Sequence, residues 1–211
     1  LEAKAIHKII VVGIGPGSED YIVPAARAAI ENAAVLVGSS RALATFAKTG
    51  CVTCPITGDL KKAVSFIKEK LAENDVVVMV SGDPCYYSML PYLRKNFSAE
   101  KLRVIAGISS MQLAFARLAL PWQNAVVTSL HGRKPDAAEL SFESGKMLGL
   151  LTDNVYTSRT IAEYLIELGW PKTSAAYILT RLSYSDERII ETTLEKAAGE
   201  DEITHCIMVV I

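Results

Sequence analysis

The 211-residue chain reads as an α/β protein of two domains, with a mostly parallel sheet in the N-terminal domain and a mixed sheet in the C-terminal one. Three observations predict this. In the first half, short continuous β-branched runs alternate with longer amphipathic runs, the pattern of strands covered on both faces by helices. After Trp122 the pattern changes, and beyond residue 174 three strand-like runs crowd together with one short helical stretch among them. Half of the residues are hydrophobic and 21% are charged, which excludes extended disorder. At this length about 70% of the unfolded surface can be buried, enough for a core without staples.

The elements follow in order. Residues 9–14 form an apolar run ending at a glycine, and residues 23–33 have helical composition. Residues 35–37 read as a strand and 39–47 as a short helix. Leu60, Val64, Ile67 and Leu71 recur at the spacing of one helix face. Residues 76–80 are a buried strand, 90–93 a helix and 102–105 a strand. Residues 111–120 form an apolar helix expected to stop before Pro121. Residues 126–130 and 147–151 read as strands, 161–168 as a helix, and 175–182, 188–192 and 206–211 as strands. The change of pattern places the domain boundary near Pro121 to Asn124, giving domains of 1–121 and 122–211.

Charge and composition narrow the function. Twenty-two basic against 23 acidic residues give a net charge of −1, which argues against a nucleic-acid partner. No apolar run approaches the ~18 residues of a membrane span. Glu2, Lys4, His7 and Lys8 break any secretory signal in the first ten residues. Four cysteines are too few for a disulfide scaffold, and the expectation is a cytoplasmic protein that binds neither membrane nor nucleic acid.

Three glycine-bearing loops each follow a strand. Gly13-Ile14-Gly15-Pro16-Gly17 lacks the third-glycine spacing and the later carboxylate of a dinucleotide fingerprint, and has no Gly-Lys-Ser/Thr. By itself it reads equally well as a structural turn. In Ser81-Gly82-Asp83-Pro84, Asp83 either meets a ligand or makes an Asx-turn or helix cap. In Ala106-Gly107-Ile108-Ser109-Ser110 a serine caps the next helix. Three such loops converging on one sheet edge point to a ligand more strongly than any one alone. The segment Ser129-Leu130-His131-Gly132-Arg133-Lys134 is either an anion site or a solvated loop. Cys51-Val52-Thr53-Cys54 has no second pair and reads as structural, so no metal site is expected. No Ser-His-Asp or two-carboxylate set stands out, and no catalytic side chain is assigned.

The order and spacing of residues 13–17, 81–84 and 107–110 resemble the tetrapyrrole methylases, which methylate corrin and sirohaem precursors with S-adenosylmethionine. Ser109 to Arg117, Leu120-Pro121-Trp122, Ser129 to Arg133, Leu151-Thr152-Asp153, and Leu182-Ser183-Tyr184 with Glu187-Arg188-Ile189 resemble one branch, the CbiE-type cobalt-precorrin-7 (precorrin-6Y) C5-methyltransferases. The resemblance spans residues 9–210. It departs from the family at Ala106, where proline is usual, and at Thr180, where glutamate is common.

The resemblance implies two α/β domains with a ligand cleft between them, a homodimer, and S-adenosylmethionine leaving as S-adenosylhomocysteine. Cofactor contacts carry over to Pro16, Ser81, Gly82, Asp83, Tyr86, Ser109, Ser110, Thr152 and Leu182. The substrate would be a precorrin in cobalamin biosynthesis, rich in carboxylates. Its contacts are expected from the Gly13, Gly15 and Gly17 loop and from the cations Arg117, His131, Arg133, Arg159 and Arg181. One methyl would be added at carbon 5 without decarboxylation, the carbon-15 step falling to a separate methylase and decarboxylase partner. Alternatives are another methylase of the family, a non-catalytic tetrapyrrole carrier, and a methylase acting on protein or nucleic acid.

Overall fold

The computed structural model describes residues 7–133 and 135–211, so Glu2, Lys4 and Lys134 of the sequence reading lie outside the described residues. The chain divides into two compact units, residues 1–109 and 110–211.

The first unit holds a five-stranded, wholly parallel sheet in the order β3-β2-β4-β1-β5. Its strands are β1 (Ile9–Gly13), β2 (Val35–Gly38), β3 (Val52–Pro55), β4 (Val76–Val80) and β5 (Leu102–Ile105). The helices are α1 (Pro24–Glu31), α2 (Ser40–Phe46), α3 (Leu60–Lys70) and α4 (Leu90–Asn96). Side chains alternate between faces along each strand. Ile9, Val11, Val35, Val37, Val76 and Val78 pack with Ala63, Val64 and Ile67 of α3 and Leu93 of α4. Val12, Leu36, Val77 and Met79 pack with Ala26 and Ile30 of α1 and Ala42 of α2. The two buried faces explain the unbroken apolar runs of β1 and β4.

Strand β3 was not expected from the sequence, because it is an exposed edge with only four residues. Cys54 lies in it and Cys51 directly precedes it. Cys51 packs with the α1 side of the sheet and Cys54 with the α3 side. Burial pushes both thiols upward, away from the thiolate that metal binding and redox exchange require.

The second unit holds a mixed sheet in the order β6-β7-β10-β8-β9. Its strands are β6 (Val126–Ser129), β7 (Leu148–Leu151), β8 (Ala175–Thr180), β9 (Arg188–Thr193) and β10 (Ile207–Val210). β6 and β7 are parallel, and the other pairings are antiparallel. Its helices are α5 (Ser110–Arg117), α6 (Ala137–Leu140), α7 (Ser158–Glu167) and α8 (Leu194–Gly199). Leu148, Leu150, Ile178, Met208 and Val210 pack with Ile161 and Leu165 of α7, Leu194 of α8 and Trp170. The Trp170 indole Nε1–H donates to the Leu140 carbonyl at 2.8 Å.

The division falls upstream of the boundary expected at 121/122, because α5 belongs to the second unit. It packs on β7 and β10, where Gly149 leaves room for Met111 and Phe115. A Cβ on Gly149 would lie 2.7 Å from Met111 Sδ and 2.8 Å from Phe115 Cε2. The helix does stop before Pro121, at Arg117, three residues earlier than the sequence suggests. Ala119 turns left-handed at φ 53°, and the amides of Ala119 and Leu120 return to the carbonyls of Ala116 and Phe115, a Schellman closure. The break of pattern at Pro121 therefore marks the end of a helix rather than the end of a unit.

Candidate functional site

In the first unit the three glycine loops leave neighbouring strands on one edge. β1 lies between β4 and β5, all parallel, so residues 13–17, 81–84 and 106–109 emerge side by side. This is the carboxyl edge, where open α/β sheets bind ligands. Gly13 and Gly107 let these backbones meet: a Cβ on Gly13 would stand 2.5 Å from the Gly82 carbonyl, and one on Gly107 would strike the same oxygen. The Gly82 amide donates to Gly15 O at 2.8 Å. Asp83 fastens the third loop, since one carboxylate oxygen accepts from the Cys85 amide at 2.7 Å and the other from the Gly107 amide at 2.9 Å. Asp83 thus makes the Asx-turn foreseen for it and also bridges two of the loops. Pro16 and Gly17 are half-buried, Ser81 is exposed and Ser109 is buried just ahead of α5.

Beyond Asp83, the Tyr86 hydroxyl and Ser88 Oγ are buried without a hydrogen-bond partner. Burial pushes the Tyr86 phenol well above its ordinary value. The orphaned hydroxyls offer polar contacts to a ligand carrying hydroxyl, amine or carboxylate groups.

In the second unit the candidate residues also share one sheet edge. β6 and β7 both end there, and Ile207, the first residue of β10, pairs with Leu151 on one side and Leu179 on the other. The His131 loop, Thr152 and Leu182 therefore follow three strand ends on that edge, with His205 just before β10. Thr152 is buried, its hydroxyl donating to the Cys206 carbonyl and accepting from the Cys206 amide at 2.8 Å. Leu182 is buried between Arg181 and Ser183, whose φ angles of 52° and 71° are left-handed.

Asp153 organises the cationic loop. It accepts the Gly132 amide at 2.8 Å on one oxygen and the amides of Val155 and Tyr156, each at 2.7 Å, on the other. These bonds, the Gly132 one foremost, hold its carboxyl down at about 2. His131 and Arg133 are exposed on the tip, and the His131 ring lies 5.9 Å from that of His205.

Arg117, Arg159 and Arg181 are engaged by named protein groups. Arg117 makes a two-point pair with Glu187, Nε to Oε1 at 2.6 Å and Nη2 to Oε2 at 3.3 Å. Arg159 donates through Nε to the Glu200 carbonyl at 2.7 Å. Arg181 pairs with Asp186 at 3.0 Å and lies 4.3 Å over the Tyr184 ring. Sequence reasoning gave Asp153, Glu187 and His205 no role. Asp153 followed by Asn-Val-Tyr-Thr is an Asx-turn signal that could have found the first; the Glu187 pairing needs the tertiary structure. Among the described residues no group of three or more His, Cys, Asp or Glu side chains is placed to hold a metal ion, and no helix is long and apolar enough to cross a membrane.

Residues 8–198 match the family model of the Tetrapyrrole (Corrin/Porphyrin) Methylases. A probable cobalt-precorrin-7 C(5)-methyltransferase of Methanocaldococcus jannaschii is 30% identical over 92% of both chains. The cobalt-precorrin-7 C(5)-methyltransferase of Salmonella typhimurium is 32% identical over 76% of this chain and 79% of its own. A decarboxylating precorrin-6Y C(5,15)-methyltransferase of a Sinorhizobium species is 28% identical over 86% of this chain but only 44% of its own. Among solved structures, the precorrin-6Y methylase CbiE of Archaeoglobus fulgidus superposes with a TM-score of 0.73 at 23% identity, covering 97% of both chains. The Thermus thermophilus uroporphyrin-III C-methyltransferase complexed with S-adenosylhomocysteine gives 0.75 at 21% identity, covering 96% of this chain and 91% of its own.

Proposed function

The chain belongs to the tetrapyrrole (corrin/porphyrin) methylases, and from that premise we propose that it transfers a methyl group from S-adenosylmethionine to carbon 5 of a (cobalt-)precorrin in cobalamin biosynthesis. The observation that carries this reading is the similarity, over nearly the whole of both chains, to the archaeal C(5)-methyltransferase.

The residues present fit the cofactor. Its amino-acid and ribose groups need backbone amides, carbonyls and hydroxyls, which the loops of Pro16, Ser81, Gly82, Asp83, Ser109 and Ser110 offer, together with the orphaned Tyr86 hydroxyl. Contacts at Thr152 and Leu182 are part of the same proposal. S-adenosylmethionine, when bound, supplies a methyl group already activated on a sulfonium. The chain's own task is to hold donor and acceptor in line and keep water out, so no side-chain nucleophile is required. Asp83 works through the loops, fixing the Gly107 backbone against Gly82. Substrate carboxylates are met first by the exposed His131 and Arg133, on a loop set by Asp153.

One methyl is added and the acetate carboxyl is retained, the carbon-15 methylation and decarboxylation belonging to a separate protein. A cytoplasmic homodimer is part of the same proposal. The test is to incubate the pure chain with S-adenosylmethionine and the precorrin, weigh the product and locate the methyl by isotope labelling. A single methyl on carbon 5 supports the reading. A methyl elsewhere gives the chain to another branch, and tetrapyrrole binding without S-adenosylhomocysteine binding makes it a carrier.

A further inference from the structure

The Arg117–Glu187 pair joins the end of α5 to the turn after β8. Arg117 is the last residue of α5, and Ser110 the first. The helix thus spans roughly 10 Å between them at 1.5 Å per residue. Glu187 is the more shielded partner, 18% exposed against 34% for Arg117. Besides accepting both arms of the guanidinium, its Oε2 accepts the Ser183 amide at 2.7 Å. Ser183 and Arg181 hold left-handed backbone on either side of Leu182, a conformation that side-chain-bearing residues keep only where the surroundings enforce it. The turn also closes on itself, Tyr184 N–H to Arg181 O and Glu187 N–H to Tyr184 O, and Arg181 pairs locally with Asp186. Among these contacts the Glu187 carboxylate is the one that ties the turn to a different element.

We propose that Arg117 and Glu187 are positioning residues: a fork-on-fork ion pair that holds the Leu182 turn in its left-handed form at a fixed distance from Ser110, so that both ends of α5 carry cofactor contacts. The inference rests on the assignment of Ser110 and Leu182 to the cofactor site in the proposed function. It moves Arg117 from the cations facing substrate carboxylates to the framework of the cofactor site. The bidentate geometry suits that role, because it fixes orientation as well as distance. A lysine offers charge without the fork.

The two roles for Arg117 give opposite signs at Glu187. If Arg117 faces the substrate, removing the neighbouring negative charge strengthens tetrapyrrole binding. If the pair positions the turn, Glu187→Gln and Arg117→Ala weaken the same ligand, the cofactor. The experiment measures S-adenosylhomocysteine affinity by calorimetry for the unmodified chain, Arg117→Ala, Arg117→Lys and Glu187→Gln, with thermal melts to confirm folding and KM for the tetrapyrrole. Both Arg117→Ala and Glu187→Gln should weaken S-adenosylhomocysteine by about fivefold or more, with Arg117→Lys between them and the unmodified chain. The tetrapyrrole KM should stay within about twofold. The near-isosteric Glu187→Gln keeps the test decisive if Arg117→Ala does not fold. Unchanged S-adenosylhomocysteine affinity in folded variants overturns the proposal, as does a tetrapyrrole KM that rises in Arg117→Ala and falls in Glu187→Gln. If the unmodified chain binds no S-adenosylhomocysteine, the proposed function itself fails, and that result is read before any variant.

Discussion

The Asp83 carboxylate accepts the amide of Gly107, 24 positions along the chain, at 2.9 Å. Its other oxygen accepts the Cys85 amide, so one side chain joins the loop after β4 to the loop after β5. In Asp83→Asn one oxygen becomes an amide donor, and one of the two N–H groups is left facing another donor. Charge-assisted bonds of this kind are the stronger ones. Asp83→Asn should weaken S-adenosylhomocysteine by about tenfold, ~1.4 kcal/mol, read by calorimetry on the folded variant. Unaltered affinity would remove the Asp83 bridge from the site.

Arg133 is exposed on the loop that Asp153 anchors. Arg133→Ala should raise the tetrapyrrole KM severalfold while leaving S-adenosylhomocysteine affinity unchanged. Exposed charge pairs are screened by salt, so the KM of the unmodified chain should rise with ionic strength, and that dependence should flatten in Arg133→Ala. Steady-state kinetics at several salt concentrations check both.

Asp153 sets a pH dependence of stability. Its carboxyl is held at about 2 against an ordinary 3.8. A depressed folded value means that the ionised form stabilises the fold above pH ~4, and that this contribution is lost as pH falls from about 4 to about 2. In Asp153→Asn the side chain no longer titrates. The gap in Tm between the two proteins should be constant near neutrality and narrow across that acid window. A gap that does not change with pH would show that the three amide bonds do not distinguish the charged form.

Gly149 lies in β7 directly under α5. Phe115 is fully buried and cannot swing away into solvent. Gly149→Val should overpack this contact and cost about 1–3 kcal/mol, measured by urea unfolding, with Gly149→Ala costing less. Equal stability for Gly149→Val would mean that α5 lifts from the sheet without penalty.

The sequence by itself determined the elements whose burial is local and periodic. β4 reads as Val-Val-Val-Met-Val because both of its faces are covered, and α3 shows one apolar stripe because only one face is. It also determined that glycine loops follow β1, β4 and β5, since turn chemistry is written in adjacent residues. The tertiary structure decided what depends on partners distant in the chain. The edge strand β3, Val-Thr-Cys-Pro, is too short and too exposed to write a pattern. α5 looks continuous with the first half of the chain, yet packs on the second sheet because Gly149, more than 30 residues later, makes room for it. The cations at Arg117 and Arg133 look equivalent in sequence. The fold brings Glu187 to Arg117 across 70 positions and sets Arg133 on the exposed loop that Asp153 anchors, because a charge is defined chemically by what the fold brings within hydrogen-bonding distance rather than by its neighbours in the chain.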